Sequence, residues 1–476
     1  MDRTKILSVG IDVGTTTTQV VFARLTLENT SGYFAVPHVS IVEKEIIYKS
    51  GIYFTPLLNA VLLDGEGIRK IVATEYGRAH FAPSDVGTGA VIVTGEAARK
   101  ENAAVLLKSL SGFAGEFVVS TAGPDLESVL AGKGSGAQRA SEDRGITVIN
   151  LDIGGGTTNA VFFDSGETAA KGCLDIGGRQ IRVDDAGAIT YISESAKKVA
   201  AAEGIPLAAG GPASVPEIQR LCARMARLFE EWLGLSPPTP LLEAVRTNES
   251  TPLLLPRKAR AVCFSGGVAD CILNSYDNPF CYGDIGPLLG KAIRESRLTK
   301  EFETIRASET IRATVVGAGS FSTSVSGSTI SADAQLLPLK NVPVLKLQPE
   351  EQARCYWGDE AFLYEKTRWF LEQSGNEVFL LAMRGEPNPA YETLLRLAEC
   401  ISGALPKALP ASSPLLLALE SDTAKALGQL IGRILPNRPV VCIDSVRVEQ
   451  GDYIDLGRPL MGGVVIPVVV KTIALG

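Results

Sequence analysis

Two stretches of the chain share one pattern of apolar and polar positions. Each has a β-branched, apolar run, a short turn rich in glycine and threonine, and a second apolar run. The first stretch covers residues 5–25 and the second covers residues 145–167. Short β-branched runs on both sides of such a turn are typical of a β-hairpin. The pattern therefore predicts two similar hairpins.

The two hairpins are also copies of each other in sequence. IDVGTTTTQVVF, residues 11–22, aligns with LDIGGGTTNAVF, residues 151–162, without a gap. The identical positions include Asp12 and Asp152, Gly14 and Gly154, Thr17 and Thr157, Thr18 and Thr158, and Phe22 and Phe162. Two copies of one sequence motif suggest two similar domains that face a shared ligand.

The pattern outside the hairpins mixes strands and helices. Strands are predicted at residues 43–50 and 89–96. Residues 260–272 are predicted to begin with a strand that is followed by a Gly-Gly turn and the start of a helix. A further strand with a glycine-rich turn is predicted at 311–330. Helices are predicted at 95–115, 193–203 and 216–233. A loop or hinge is expected at the polar, glycine-rich residues 131–145, and the proline-rich residues 236–260 are expected to be irregular.

From about residue 335 the pattern becomes a regular alternation of strand and helix. Strands are predicted at 377–383, 414–420 and 439–446, and helices at 389–405 and 421–435. Such an alternation is typical of an α/β unit with a parallel sheet. We therefore predict an α/β fold with domains at 1–144, 145–334 and 335–476, where the last is a third domain or an extension of the second.

Composition narrows the class of protein. With 476 residues, of which 45% are hydrophobic, the chain can build two or three cores. Its net charge of −7 argues against a nucleic-acid binder. We expect neither a secretory signal nor a membrane span, because no long apolar run occurs. The eight scattered cysteines are expected to be reduced thiols, and two histidines argue against a zinc site or a histidine-based triad.

Each hairpin turn offers a carboxylate beside groups that bind phosphate. Glycine permits a close backbone approach, and successive N–H groups in a turn form a concavity that binds anions. A carboxylate repels phosphate unless a cation such as Mg²⁺ lies between them, so Asp12 and Asp152 are candidate metal ligands and candidate catalytic residues. The candidate phosphate-binding residues are Gly14, Thr15, Thr16, Thr17, Gly154, Gly155, Gly156, Thr157 and Thr158.

Two further segments are weaker candidates for the same site. FSGGVAD, residues 264–270, follows a predicted strand, and Ser265, Gly266 and Gly267 would let adenine and ribose lie against bare backbone. In CLDIGGRQI, residues 173–181, Gly177 and Gly178 are expected to lead into a helix whose N-terminus faces the nucleotide. Neither a P-loop nor a dinucleotide-binding glycine motif occurs in the sequence.

In order and spacing these elements resemble the superfamily of actin, sugar-kinase and heat-shock-chaperone ATPases. The resemblance covers about residues 5–330 and implies an actin-like fold, in which two ribonuclease-H-like domains hold ATP and Mg²⁺ in a cleft. It also implies a residue between the two phosphate motifs that orients water or accepts a proton. Glu96 is the first candidate for that residue and Asp125 is the second.

Within the superfamily the chain resembles the ethanolamine ammonia-lyase reactivating factors. The most specific segments are TVVGAGSFSTSVSGSTI, residues 314–330, and GDYIDLGRPLMGGVVIPVVVKT, residues 451–472. The resemblance implies an ATP-dependent, chaperone-like protein whose partner is ethanolamine ammonia-lyase and which releases damaged cobalamin so that adenosylcobalamin, the lyase's cofactor, can rebind. It implies a cytoplasmic protein and leaves association with a bacterial microcompartment, and the oligomeric state, open.

Two other functions remain open at this point. A kinase of the same superfamily that acts on a small acid or sugar would need a base beside its substrate, for which the sequence offers only Asp152 and Glu96. An actin-like filament protein would need self-complementary surfaces. Because the ATPase motifs do not require residues 335–476, we expect that region to contribute to contact with the lyase.

Overall fold

The chain folds around three large β-sheets, each of which is flanked by helices. The computed structural model describes residues 3–30, 39–59, 62–94, 97, 100–113, 124–247, 259–321, 324–327, 330–460 and 463–472. No helix in these ranges is long and apolar enough to cross a membrane.

The first sheet contains the first predicted hairpin. Its strands are β1 (Arg3–Val13), β2 (Thr17–Asn29), β3 (Val39–Lys49), β4 (Tyr53–Phe54) and β5 (Thr88–Val93), in the order β3-β2-β1-β5 with β4 beside β2. Strands β1, β2 and β3 are antiparallel, whereas β5 is parallel to β1. Helices α1 (Gly65–Ala79) and α2 (Ala103–Leu110) supply apolar side chains to a core on this sheet.

The second sheet repeats this topology. Its strands are β6 (Thr147–Ile153), β7 (Thr158–Asp164), β8 (Glu167–Leu174), β11 (Ala261–Ser265) and β12 (Glu303–Ile305), in the order β12-β11-β6-β7-β8. Its first three strands are antiparallel, and β11 is parallel to β6 as β5 is to β1. A separate hairpin consists of β9 (Ile181–Val183) and β10 (Ile189–Ile192). The helices of this part are α5 (Glu194–Ala202), α6 (Val215–Trp232), α7 (Pro240–Val245), α8 (Ala269–Leu273), α9 (Gly286–Glu295) and α10 (Leu298–Glu301).

Two segments that the sequence predicts as a loop and as a strand form helices instead, and two of these helices, α3 (Pro124–Gly134) and α11 (Ala313–Phe321), link the first and second sheets. The loop expected at 131–145 is wrong, because α3 and α4 (Ala137–Arg144) occupy it. The strand expected at 311–330 is wrong over residues 313–321, which form α11, and among the described residues only the short strand Ser324–Val325 lies in that range. The glycines that suggested turns serve close packing instead: a Cβ on Gly134 would lie 1.9 Å from the carbonyl oxygen of Ala313. A Cβ on Gly317 would lie 2.0 Å from the carbonyl oxygen of Leu130.

Helices α3 and α11 also pack on the sheets. A Cβ on Gly10 of β1 would lie 2.4 Å from the carbonyl oxygen of Val315 in α11. A Cβ on Gly132 of α3 would lie 2.5 Å from the ring of Phe163 in β7. The crossing of α3 and α11 therefore lies against both sheets.

The C-terminal part forms the third sheet, as the alternating pattern predicts. Strands β15 (Leu339–Lys346), β16 (Leu380–Met383), β17 (Leu415–Leu419) and β18 (Val440–Ile443) are parallel. Antiparallel strands complete the order β13-β20-β19-β15-β16-β17-β18-β14; they are β13 (Ser324–Val325), β14 (Ser331–Ala332), β19 (Asp452–Leu456) and β20 (Pro467–Thr472). Helices α12 (Pro349–Tyr356), α13 (Glu360–Ser374), α14 (Tyr391–Ala408) and α15 (Ala424–Ile434) share a core with one face of the sheet.

The third sheet is packed against the first part of the chain. Val469 of β20 shares a small core with Ile92 of β5, Leu130 of α3 and Ala318 of α11. The predicted fold class, an actin-like α/β arrangement of two similar domains with a further C-terminal α/β region, is confirmed. The domain boundaries at 144 and 334 stay a prediction.

Candidate nucleotide site

The two glycine–threonine turns have the same local structure. The N–H of Gly14 donates to the carbonyl oxygen of Thr17 at 2.9 Å, and the N–H of Gly154 donates to that of Thr157 at 2.9 Å. In both copies the four turn residues are half-buried between fully buried strand residues. The half-buried turn residues are Gly14, Thr15, Thr16 and Thr17, and Gly154, Gly155, Gly156 and Thr157.

The fold brings the two turns into contact. A Cβ on Gly155 would lie 2.6 Å from Oγ1 of Thr16, so glycine is needed for this approach. That Thr16 hydroxyl is buried and has no hydrogen-bond partner among the described residues. Because a buried polar group without a partner is costly, the space between the turns suits a ligand that accepts hydrogen bonds.

Asp12 is a buried carboxylate at the end of β1. The hydroxyl of Thr94, the residue after β5, donates to its Oδ1 at 3.0 Å. Burial, together with a smaller effect of the nearby charge of Asp152, raises the pKa of Asp12 to about 7, even though the hydrogen bond from Thr94 lowers it. The two carboxylates that the repeat predicted are therefore close enough to interact, and no cationic side chain among the described residues forms an ion pair with either.

Asp152 occupies the equivalent position at the end of β6. The hydroxyl of Ser265 donates to its Oδ1 at 2.6 Å, and that of Thr314 in α11 donates to its Oδ2 at 3.4 Å. Burial raises the pKa of Asp152 to about 6 despite these bonds. The amide of Asn150 donates to Ser265 at 2.9 Å, so a buried network fixes the carboxylate.

Two amide side chains lie directly across the strands from the acids. Gln19 pairs with Asp12 in the β1–β2 register, and Asn159 pairs with Asp152 in the β6–β7 register. Both side chains are buried, and neither amide oxygen has a hydrogen-bond partner among the described residues. Gln19 and Asn159 also fall on each other in the gapless alignment, a signal that the sequence analysis missed.

The glycine pair after β8 supports the second turn from below. The N–H of Gly178 donates to the carbonyl oxygen of Gly154 at 2.9 Å. A Cβ on Gly177 would lie 2.4 Å from the carbonyl oxygen of Gly155, so the segment fits only without one. The helix expected after this pair is wrong, because strand β9 follows at Ile181–Val183.

The adenosine candidates lie at the end of β11. Gly266 has a φ of +85°, and a Cβ there would lie 2.4 Å from the carbonyl oxygen of Ile153, so both its conformation and its space require glycine. A Cβ on the exposed Gly267 would meet no atom within 4 Å, which leaves room for a ligand. Ser265 is buried and its hydroxyl is bonded to Asp152, so its contact with adenosine stays a prediction.

Three predicted residues gain little support from the geometry. The Thr158 hydroxyl donates to the carbonyl oxygen of Ile176 at 2.7 Å, so its proton is used within the fold. Glu96 lies outside the described residues, and the side chain of Asp125 lies outside them as well. The residue that activates water therefore stays a prediction.

The acids fit a magnesium ion that is shared with phosphate. Among the described residues no cluster of three or more histidine, cysteine, aspartate or glutamate side chains could hold a metal by itself. Mg²⁺ is commonly bound by one or two carboxylates together with phosphate oxygens and water, which matches Asp12 and Asp152. When bound, Mg²⁺ would neutralise charge on these carboxylates and on the phosphates.

Binding of Mg²⁺ with ATP is expected to tighten as the pH rises. The raised pKa values of about 7 for Asp12 and about 6 for Asp152 mean that protons compete with the metal in acid. We expect about a tenfold gain in affinity from about pH 5.5 to about pH 7.5, measured by calorimetry in two buffers of different ionisation enthalpy to count the released protons. Proton release that is absent near pH 6 would contradict the assignment of these carboxylates.

Comparisons with known proteins give one consistent family. The sequence profile of the family described as "Ethanolamine utilisation protein EutA" matches residues 4–476. The ethanolamine ammonia-lyase reactivase EutA of Salmonella typhimurium is 38% identical over 489 residues, covering 100% of this chain and 99% of that protein. The reactivase EutA of Escherichia coli is 35% identical over 477 residues, with the same coverage. A solved Ppx/GppA phosphatase of Aquifex aeolicus is 14% identical and overlaps 66% of this chain and 99% of its own, with a TM-score of 0.38.

Proposed function

Because the chain belongs to the EutA family of ethanolamine utilisation proteins, we propose that it is an ATPase that reactivates ethanolamine ammonia-lyase. In this proposal the protein binds the lyase, releases damaged cobalamin and lets adenosylcobalamin rebind. The observation that carries the ATP-dependent part is the pair of touching turns, each with a buried carboxylate at its strand end. This arrangement supports binding of a metal–phosphate group from both sides.

Each part of the site has a role in this proposal. Asp12 and Asp152 hold Mg²⁺, while Thr94, Ser265 and Thr314 keep their carboxylates oriented. The turn N–H groups and the unpartnered Thr16 hydroxyl bind phosphate oxygens. Glu96 and Asp125 remain the candidates for activating water.

ATP can drive exchange on the lyase only if two conformations differ in nucleotide affinity, by about 1.4 kcal/mol for each tenfold difference. The contact between the turns supports such a difference in affinity, because the ligand would bind both domains at once. The crossing of α3 and α11, which contacts both sheets, supports a hinge between them. Hydrolysis would then reset the protein.

The proposal is tested with lyase blocked by cyanocobalamin. Addition of this protein, Mg²⁺, ATP and adenosylcobalamin is expected to restore acetaldehyde release from ethanolamine, and omission of ATP is expected to prevent it. The control variant Asp143→Asn changes an exposed side chain in α4, at the opposite end of β6 from the second turn, and should behave as the parent protein. Failure to restore activity while ATP still binds would contradict reactivation and favour phosphoryl transfer to a small acid or sugar.

Contact of the C-terminal region with the lyase remains part of the proposal. Truncation at residue 334 is an unsuitable test, because it would also remove Val469 from its core with Ile92 and Leu130. Trp357, of which 82% is exposed, offers a milder change, since exposed tryptophan is enriched in protein interfaces. In the same assay, Trp357→Ser with intact ATP hydrolysis and weaker reactivation would support the contact.

A further inference from the structure

The backbone and the aliphatic stem of Arg179 lie beside the second turn. Its backbone N–H donates to the carbonyl oxygen of Gly155 at 2.7 Å. A Cβ on Gly155 would lie 3.4 Å from both Cγ and Cδ of Arg179, so the aliphatic stem runs along this turn. The glycine pair before it fixes the backbone at this place.

The far end of the side chain reaches the other half of the site. The guanidinium carbon lies 5.8 Å from the centre of the Phe54 ring. Phe54 belongs to β4 and pairs with Thr17, a residue of the first turn. Arg179 therefore spans the gap from the second turn to the strand that flanks the first.

One nitrogen of the guanidinium, Nε, lacks a hydrogen-bond partner among the described residues. Nε is buried without a hydrogen bond among the described residues, and it lies 3.9 Å from Oδ2 of Asp284, too far for one. Asp284 instead accepts a bond at 2.8 Å from the N–H of Gly286. The side chain is only 22% exposed, so water does little to compensate. An anion that entered between the turns would supply the missing acceptors.

Charge in the site points in the same direction. Asp12 and Asp152 place two carboxylates beside the phosphate-binding turns, and a triphosphate adds more negative charge than one Mg²⁺ neutralises. A guanidinium matches phosphate with two parallel hydrogen bonds and also brings a positive charge, which the turn N–H groups lack. Its reach across both turns suits the outermost phosphate, which lies farthest from the adenosine segment at Gly266 and Gly267.

We infer that Arg179 binds the terminal phosphate of ATP and makes the site prefer ATP to ADP, an inference that rests on the proposed function for its ligand. In the structure the side chain lies beside Phe54 and Asp284. Bound ATP draws the guanidinium toward the turns, whereas ADP leaves it where it is.

The test compares affinities of Arg179→Ala, Arg179→Lys and the parent protein for ATP and ADP with Mg²⁺, by titration calorimetry. We expect Arg179→Ala to weaken ATP binding by about 30-fold or more and ADP binding by less than about threefold. Arg179→Lys should lie between, because it keeps the charge and loses the paired donors. Arg182→Ala is the matched control: it removes a neighbouring positive charge whose guanidinium lies 5.2 Å from the centre of the Tyr191 ring, and it should alter both affinities little.

The outcomes separate this inference from the proposed function. Equal effects on ATP and ADP, or none, in a variant that still binds ADP would overturn the role of Arg179 and leave the ATPase proposal intact. A parent protein that binds neither nucleotide would overturn both. Should Arg179→Ala fail to fold, the ratio of ATP to ADP affinity in Arg179→Lys decides, and an unchanged ratio overturns the inference.

Discussion

Replacement of Asp152 by asparagine is expected to reduce ATP hydrolysis by about 100-fold or more and, at pH 8, to stabilise the ligand-free protein. The loss of activity follows because a neutral amide no longer attracts Mg²⁺ into the cleft. The gain in stability follows from burial: residue Asp152 is 6% exposed, no cationic side chain within the described part of the chain pairs with it, and it must lose its proton to bind Mg²⁺.

The sign of the stability effect comes from the two pKa values. The carboxyl titrates at about 6 in the folded protein and at about 4 in the unfolded chain, so the folded state holds its proton longer. This contribution to the free energy of unfolding is fully present below about pH 4 and is lost as the pH rises through about 6. The loss is on the order of 3 kcal/mol, and asparagine avoids it.

The measurement is urea and thermal unfolding of both proteins without nucleotide at pH 5 and pH 8, beside ATPase rates. The variant should gain about twice as much stability relative to the parent at pH 8 as at pH 5. Asp143→Asn, which removes an exposed carboxylate paired with Arg139, is the matched control and should shift neither quantity appreciably. An Asp152→Asn protein that is equally destabilised at both pH values would contradict the assignment of a strained, functional carboxylate.

The second large effect is expected from Gly317→Ala. The new Cβ would lie 2.0 Å from the carbonyl oxygen and 2.6 Å from the carbonyl carbon of Leu130, which are backbone atoms that cannot rotate away. Helices α3 and α11 would have to separate, at a cost of about 3 kcal/mol or more in the free energy of unfolding. Separation would also pull Thr314 from Asp152, so ATP binding should weaken together with stability.

Gly432→Ala is the matched control for this substitution. Gly432 lies within helix α15, and a Cβ there would meet no atom within 4 Å. Because alanine favours helix over glycine, this variant should gain up to about 1 kcal/mol. Thermal unfolding and ATP titration of both variants give the comparison. A Gly317→Ala protein that is as stable as Gly432→Ala would show that the crossing is looser than the structure indicates.

The hairpins and the C-terminal α/β region were predictable from the sequence because their signals are local. β-Branched runs and a gapless repeat identified strands β1, β2, β6 and β7 and the acids at their ends. Helix α11 was not predictable in this way: its Thr-Val-Val segment favours a strand, and its glycines suggest turns. Its packing against Leu130 and Gly10 outweighs those local preferences.

The partners of the acids were hidden for a different reason. Thr94 and Thr314 come from distant parts of the chain and belong to no motif, so only the fold shows that they donate to Asp12 and Asp152. Arg179 was quoted within a motif, yet its reach to Phe54 depends on the approach of two domains. The amides Gln19 and Asn159 could have been found, because the repeat itself aligns them.

The crossing of α3 and α11 has a mechanical consequence. At Gly134 and Gly317 the backbones of the two helices approach each other closely, because neither position carries a side chain. At this crossing the helices can slide or rotate against each other without a change of rotamer at these two positions, which would allow the two sheets to move relative to each other. Val469 packs in one core with Leu130 and Ala318, one residue from each of the two crossing helices. Strand β20 therefore contacts both crossing helices, and a rotation of one helix against the other would be transmitted through β20 to the third sheet.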